Sequence, residues 1–360
     1  MSEGLNKYLR DMITHHGPLS VAQFMDICLS HPRYGYYMTR DPFGRDGDFT
    51  TAPEISQMFG ELLGAWLADC WLQMGRPSSF IWLDCGPGRG TLMADMIRAT
   101  RNIPGLHEAA QIYMLETSPH LRGVQQATCA QAQDITWIAG LNELPDDLPI
   151  LATGNEFLDA LGVHQFQYKN GQWYERVVGL DDGYELNFGL MPVPDGLSER
   201  MPANGPDEDG VYEVAPQRES FMRDLCDRLA ARGGACLFID YGFQGPATGD
   251  TLQAVKNHDF CDPLAYPGEA DITSHVDFAP LRDIAYQYGL KPRGPLSQNL
   301  FLKRIGIDHR YAILDQNCTP AQRDELYSAY KRLMDEAQMG TLFKAFALHT
   351  PAIAPGGFDQ

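Results

Sequence analysis

Asp84, followed by Gly86, Gly88 and Gly90 at alternate positions, is the stretch of this chain best suited to hold a ligand. Glycines so spaced let the backbone turn tightly, and they leave main-chain N–H groups open to a ligand that a Cβ would shield. A second acid, Glu116, ends the next strand-like run. A carboxylate in that place can accept both hydroxyls of a ribose. Asn155-Glu156, with Asp159 just beyond, and Asp240-Tyr241 close two later strand-like runs. An acid at such a strand end can grip the planar donor fork of an arginine.

The glycine turn admits several ligands. A dinucleotide fingerprint places its glycines first, third and sixth, but the sixth position here is Thr91 and the last glycine comes one residue early. A phosphate loop needs Gly-Lys-Ser/Thr, and no such triplet follows. A purely structural turn is also open. An acid two residues before the first of three alternate glycines resembles motif I of the class I S-adenosylmethionine-dependent methyltransferases. In that family the turn faces the amino-acid end of the cofactor, and Asp84 would orient the turn or reach the cofactor's ammonium. Residues after the fourth strand of that family face the acceptor. The double proline used by amino-nitrogen DNA methylases is missing after Asn155, whereas a glutamate there suits a guanidinium.

The elements that must position these residues alternate strand and helix, which predicts an α/β fold built on a mainly parallel sheet. Strands are expected at Phe80–Leu83, Gln111–Leu115, Thr136–Ala139, Ile150–Thr153 and Cys236–Asp240, with a closing antiparallel pair around Lys291–Pro292 and Asn299–Arg304. The expected architecture is a Rossmann-like sheet of seven strands, mostly parallel, with one antiparallel. Ligands sit beyond the carboxyl ends of such strands, where Asp84, Glu116, Asn155, Glu156, Asp240 and Tyr241 fall. Residues 1–78 read as a helical extension. Its loop Gly44–Glu54 mixes acids, Arg45 and Phe49 in the manner of a lid, and Pro53-Glu54 marks the start of a long helix to Met74. Residues 79–305 read as the ligand-binding domain, interrupted at about 163–216 by a β-subdomain with an Asn170-Gly171 hairpin turn. Residues 306–360 read as a helical segment, with Leu342–Leu348 a short apolar turn. Trp137 reads as a core residue or a neighbour of an adenine, and Glu269, Asp271 and Asp277 as a lip of the site or, for Asp277, a helix cap.

Composition sets the outer limits. With 360 residues and 44 % apolar content, the chain can bury a large core. Its formal charge of −19, from 28 basic and 47 acidic residues, disfavours a nonspecific nucleic-acid binder and suits a basic partner, though it serves solubility equally. The eight cysteines include no C-x-x-C pair, which speaks against a zinc cluster or a redox dithiol and for reduced core thiols. No metal is expected in the site. No signal peptide or apolar run long enough to span a membrane is visible, so the expected location is the cytoplasm of a bacterium.

Several blocks together resemble one family. They are Gly47-Asp-Phe-Thr-Thr-Ala-Pro-Glu-Ile-Ser-Gln57, Gly86-Pro-Gly-Arg-Gly-Thr91, Asn155-Glu-Phe-Leu-Asp-Ala160, Ile239-Asp-Tyr-Gly242 and Pro267-Gly-Glu-Ala-Asp-Ile-Thr273. In this order they are similar to the MidA family, the mitochondrial complex I assembly methyltransferases and their bacterial relatives, from about residue 5 to 350. The resemblance implies a class I methyltransferase fold, S-adenosyl-L-methionine as cofactor with S-adenosyl-L-homocysteine as product, and N-methylation of an arginine in a protein partner, a complex I subunit in the mitochondrial members. The expected cofactor residues are Asp84, Gly86, Gly88, Gly90, Glu116 and Asn155. Glu156, Asn155 and Asp159 are the expected catalytic residues, and Asp48, Phe49, Thr51, Glu54, Asp240 and Tyr241 are expected to meet the acceptor. A small-molecule methyltransferase and a non-catalytic assembly chaperone that binds the cofactor are the rival readings.

Overall fold

The apolar run before the glycine turn folds as strand β1, Phe80–Cys85, and all of it is buried. A strand covered on both faces needs no polar alternation. Phe80 and Trp82 enter one core while Ile81, Leu83 and Cys85 enter the other. The computed structural model describes residues 2–42, 50–130, 134–202, 205, 210–245 and 248–358. The expected lid residues Asp48 and Phe49 lie outside them.

Around β1 the main sheet adds β2 (Ala110–Leu115), β3 (Ile135–Ile138), β4 (Ile150–Asn155), β5 (Gly234–Phe243), β6 (Lys291–Ser297) and β7 (Phe343–His349). Their order is β6-β7-β5-β4-β1-β2-β3, and an eighth, two-residue strand, Val276–Asp277, pairs with β5 off this path. The sheet therefore has one strand more than the seven expected. From β1 the chain steps outward through β2 and β3, then returns to lay β4 on the other side of β1. Strand order thus reverses between β1 and β4, which opens a crevice beyond their carboxyl ends.

The closing strands differ from expectation. Asn299–Arg304 belongs to a helix, Gln298–Arg304, and the strand antiparallel to both β5 and β6 is β7. The segment 306–360 is therefore not wholly helical. Phe343-Lys-Ala-Phe-Ala-Leu is a short apolar run whose periodicity fits a buried strand or a helical turn equally, and only its place between two strands decides. The lid also differs. Pro53-Glu54 opens a four-residue helix, Ala52–Ile55, which breaks at the extended Ser56. The long helix Gln57–Gln73 starts after it, with the Ser56 hydroxyl accepting the Met58 N–H at 3.2 Å.

Helices Gln57–Gln73 and Thr91–Thr100 cover one face of the sheet, together with the C-terminal helices. Pro216–Arg232 and Phe278–Gln287 cover the other, and Asp277 caps the latter by accepting the Ala279 N–H. A third core joins the N-terminal helices Ser2–His16 and Val21–Ser30 to the inserted strands and to residues 254–272. The insertion contains His164–Lys169 and Gln172–Leu180, joined through Asn170 and Gly171, both at positive φ as a two-residue hairpin turn requires. Strand Leu186–Pro192 extends it, as do Val211–Val214 and, from the N-terminal region, Leu19–Ser20. The insertion is thereby tied to the N-terminal region, whose residues Leu29, Ser30 and Tyr37 border the crevice.

Candidate active site

Two cavities meet beyond the ends of β1 and β4. The larger, about 610 Å³, runs from the glycine turn past Glu116 and Thr117 to Asn142 and Phe221. The smaller, about 160 Å³, lies over Asn155, Asp159 and Tyr241. Tyr37, Gly86, Gly88 and Glu156 line both and so mark the junction.

The glycine turn is built as its spacing requires. Gly86, Gly88 and Gly90 have φ of 64, 54 and 82°, a region costly to residues with a Cβ. Gly86 and Gly88 face the cavities. Gly90 lines neither: a Cβ on it would meet Cys129 Sγ and Gln125 Cα at 3.3 Å, so it lets the helix Pro119–Thr128 approach. Asp84 is also outside both cavities. It is fully buried, accepts the Thr153 hydroxyl at 3.2 Å, and its other oxygen has no hydrogen-bond partner among the described residues. Burial raises its pKa to about 7.

Glu116 borders the larger cavity while nearly buried. Its carboxylate accepts the Ser118 N–H at 2.7 Å and the Gln125 amide at 3.0 Å. Burial raises its pKa, and these bonds oppose the rise. Ser118 also caps the next helix and donates its hydroxyl to the Tyr37 carbonyl at 2.7 Å, which fixes the aromatic loop against this strand end.

In the smaller cavity the chain gathers carboxylates. Glu54, Glu156, Asp159 and Asp271 all line it. Glu156 stands at φ 52°, a strained value for a residue with a side chain. Its Oε1 accepts the Asn155 amide at 3.0 Å and the Ala52 N–H at 3.4 Å. Burial and then the nearby Asp159 raise its pKa to about 7. Asp159 accepts the Tyr241 hydroxyl, and burial raises its pKa as well. Asp159 Oδ1 and Asn155 Oδ1 are buried acceptors with no hydrogen-bond partner among the described residues. Unmet acceptors facing a pocket call for a donor-rich, cationic guest. Thr51 and Tyr241 also line it, as does Arg89, whose guanidinium lies 3.8 Å from Glu54.

Asp240 does not line either cavity. It is buried behind the site, where Oδ2 accepts the N–H groups of Leu158 and Asp159 and Oδ1 accepts the N–H of Tyr241. Asp240 thus shapes the loop after β4. Burial, then Asp159 and Glu156, push its pKa well up.

Three residues that carry this arrangement had no signal of their own in the sequence. Tyr37 donates its hydroxyl to Asp271 at 2.7 Å. Arg218, 3 % exposed, donates to the carbonyls of His275, Asp159 and Ser274 and sets a positive charge beneath the acids. Gln125 joins the glycine turn to Glu116. Asp271, expected as a lip, does line the smaller cavity, whereas Glu269 pairs with Lys256. Trp137 donates its indole N–H to Gln125.

Comparison with known proteins fits this geometry. A family model for S-adenosyl-L-methionine-dependent methyltransferases (Methyltransf_28) matches residues 62–296. The chain belongs to this family. It is 36 % identical to the Drosophila melanogaster protein arginine methyltransferase NDUFAF7 homolog, mitochondrial, over 97 % of this chain and 86 % of that protein. The Homo sapiens protein arginine methyltransferase NDUFAF7, mitochondrial, is 35 % identical, over 98 % and 85 %. A COG1565 superfamily member from Burkholderia thailandensis, crystallised with S-adenosyl-homocysteine, superposes with a TM-score of 0.87 at 30 % identity, covering 99 % of this chain and 94 % of that one. The methyltransferase therefore has the class I fold. The volume of its larger cavity is ample for a nucleoside cofactor, and the lining suits one: the side-chain-free Gly86 and Gly88 at one end and, along the wall, the Glu116 carboxylate, which can accept further donors beyond Ser118 and Gln125. Among the described residues no helix is long and apolar enough to cross a membrane.

Proposed function

We propose that this methyltransferase transfers a methyl group to an arginine nitrogen of a protein, with a respiratory complex I subunit as the leading acceptor. One observation carries the reading. The cavity that opens on the glycine turn holds four carboxylates and two unmet buried acceptors, a lining matched to one cationic, planar, donor-rich group. The arginine methyltransferase names of relatives that align over nearly the whole chain support it.

Gly86, Gly88 and Glu116 would hold the cofactor, with Asn155 at the edge of its site. S-adenosyl-L-methionine supplies an electrophilic methyl group when bound. Glu156 stands at the junction and would fix the guanidinium fork, drawing positive charge away from the attacking nitrogen. That nitrogen must lose a proton as it gains a carbon, and Glu156, with its pKa near 7, can take it on its carboxylate. Asp159, held by Tyr241, would grip a second edge of the fork, while Thr51 and Glu54 border it on another side. Asp240 would act from behind, through the loop. The transfer is then chiefly a matter of alignment. Eight cysteines, six of them buried, suit a reducing compartment such as the cytoplasm.

The test compares cells lacking the protein with cells carrying it, using mass spectrometry of arginine methylation on purified respiratory subunits. Arginine methyl groups that vanish in the deletion and return with the native chain, but not with Glu156→Gln, are expected. An unchanged arginine methylation map would sink the reading.

A further inference from the structure

We infer that Gln125 is a positioning residue of the cofactor site, a side chain that holds the glycine turn and Glu116 in one fixed relation. The inference rests on the ribose reading of Glu116. Gln125 is fully buried in the helix Pro119–Thr128. Its Nε2 donates to the Gly88 carbonyl at 2.8 Å and to Glu116 Oε2 at 3.0 Å, and its Oε1 accepts the Trp137 indole N–H at 2.8 Å.

The orientation of this amide has one solution. An indole nitrogen only donates, so the amide oxygen must face Trp137. A carbonyl and a carboxylate only accept, so the amide nitrogen must face the other two. All the bonding capacity of the –NH2 group is thereby spent on two parts of one cavity wall, since Gly88 and Glu116 both line the larger cavity. Glu116 Oε1 is separately held by the Ser118 N–H, so the two bonds together fix the plane of the carboxylate. A carboxylate held in one plane can take two vicinal hydroxyls at once, and one free to rotate must be ordered at each binding event. Gln125 also sets how far the turn stands from that carboxylate, and hence the spacing between the sites for the two ends of the cofactor.

The substitution Gln125→Met keeps the length and removes every bond. Trp137→Phe keeps Gln125 and removes only the donor that fixes its orientation. Binding of S-adenosylhomocysteine and of its 2′-deoxy analogue is measured by calorimetry on the full chain, with Glu116→Gln as the reference. For the native chain a preference of about tenfold or more for the intact ribose is expected, as a charge-assisted bond implies. In Gln125→Met that preference should fall to within about threefold, with Trp137→Phe intermediate. Loss of packing alone would weaken both ligands equally and leave their ratio intact, so an unchanged ratio in Gln125→Met overturns the inference. Should that variant not fold, Trp137→Phe decides: a ratio equal to the native one overturns it and a reduced ratio supports it. An unaltered ratio in Glu116→Gln would instead remove the ribose reading, and the positioning role with it.

Discussion

The carboxylate of Glu156 accepts the backbone N–H of Ala52 at 3.4 Å, so the acid at the cavity junction is bonded to the first turn of the helix that follows the lid loop. The same Oε1 takes the Asn155 amide. Replacing Glu156 by Gln keeps an oxygen that both donors can use and removes the charge. Cofactor affinity should stay within about twofold of the native value, while turnover on an arginine acceptor falls by about a hundredfold or more, the scale expected for losing a general base. Calorimetry with S-adenosylhomocysteine and a methyl-transfer assay separate the two effects. Equal turnover would remove Glu156 from the chemistry.

The raised pKa of Glu156 gives that chemistry a pH signature. The free enzyme needs the carboxylate ionised to grip a cation, so kcat/KM should climb with pH and level off above about 7. The bound guanidinium favours the ionised form, so the midpoint for kcat should lie lower than that for kcat/KM. In Glu156→Gln the rise near neutrality should disappear from whatever activity is left. A native profile flat from about pH 6 to 8 would contradict the assignment.

Stability should run the opposite way. Asp84 and Glu156 have folded pKa values raised to about 7, against about 4 for such acids in an unfolded chain. Between those values the folded chain holds protons that the unfolded chain has released, so its stability falls as pH rises through the window and remains lower above it. Melting temperature is expected to drop between about pH 5 and pH 8. Asp84→Asn should flatten the drop, because its amide needs no deprotonation. A melting temperature that rises over this range would rule out the two buried acids as the source of the pH dependence.

How much of this could be read from the chain depends on whether each cause is local. The strand β1, its glycine turn and Glu116 declare themselves through neighbours in sequence: an apolar run, three positive-φ glycines and an acid at a strand end. The Asn170-Gly171 hairpin and the Asp277 cap are local in the same sense. The strand β7 is not, because its apolar run suits two conformations and its pairing partners β5 and β6 lie elsewhere in the chain. Gln125, Tyr37 and Arg218 were silent for a related reason. Each works through groups distant in sequence: Gln125 through Gly88, Tyr37 through Asp271, Arg218 through Ser274. The division between the cavities was equally hidden, since spacing alone does not tell that Gly90 and Asp240 face the protein while Gly86 and Tyr241 face the pockets.

The glycine turn supplies a cofactor test independent of the acids. Gly88 has φ 54° and lines both cavities. In Gly88→Val a β-branched side chain would be forced into a left-handed conformation that costs about 1–2 kcal/mol, at a residue that lines both cavities. Affinity for S-adenosylhomocysteine should fall at least about tenfold in a variant that retains its circular dichroism spectrum. Native affinity in a folded Gly88→Val protein would place the cofactor elsewhere.

Arg218 is the remaining support, and its removal tests how the acids are tolerated. The guanidinium is buried, and burial pulls its pKa down while Asp240 and Asp159 act against that pull. It donates to the Asp159 and His275 carbonyls and to Ser274, and so binds the loop after β4 to the residues just before the helix Phe278–Gln287. Arg218→Met would retain most of the apolar stem but leave buried carbonyls without donors and the neighbouring acids without a countercharge. Removing one partner of a buried charged network costs about 3–5 kcal/mol. Denaturant unfolding of Arg218→Met should show a loss of that size, and the loss should be smaller at about pH 5, where Asp159 and Asp240, whose pKa values are raised by burial, hold their protons more fully. Arg218→Lys should recover only part of it, because an ammonium carries the charge but not the planar fork that reaches three carbonyls at once. A loss that is independent of pH would mean that Arg218 serves only to hold backbone carbonyls, with no part in balancing the acids.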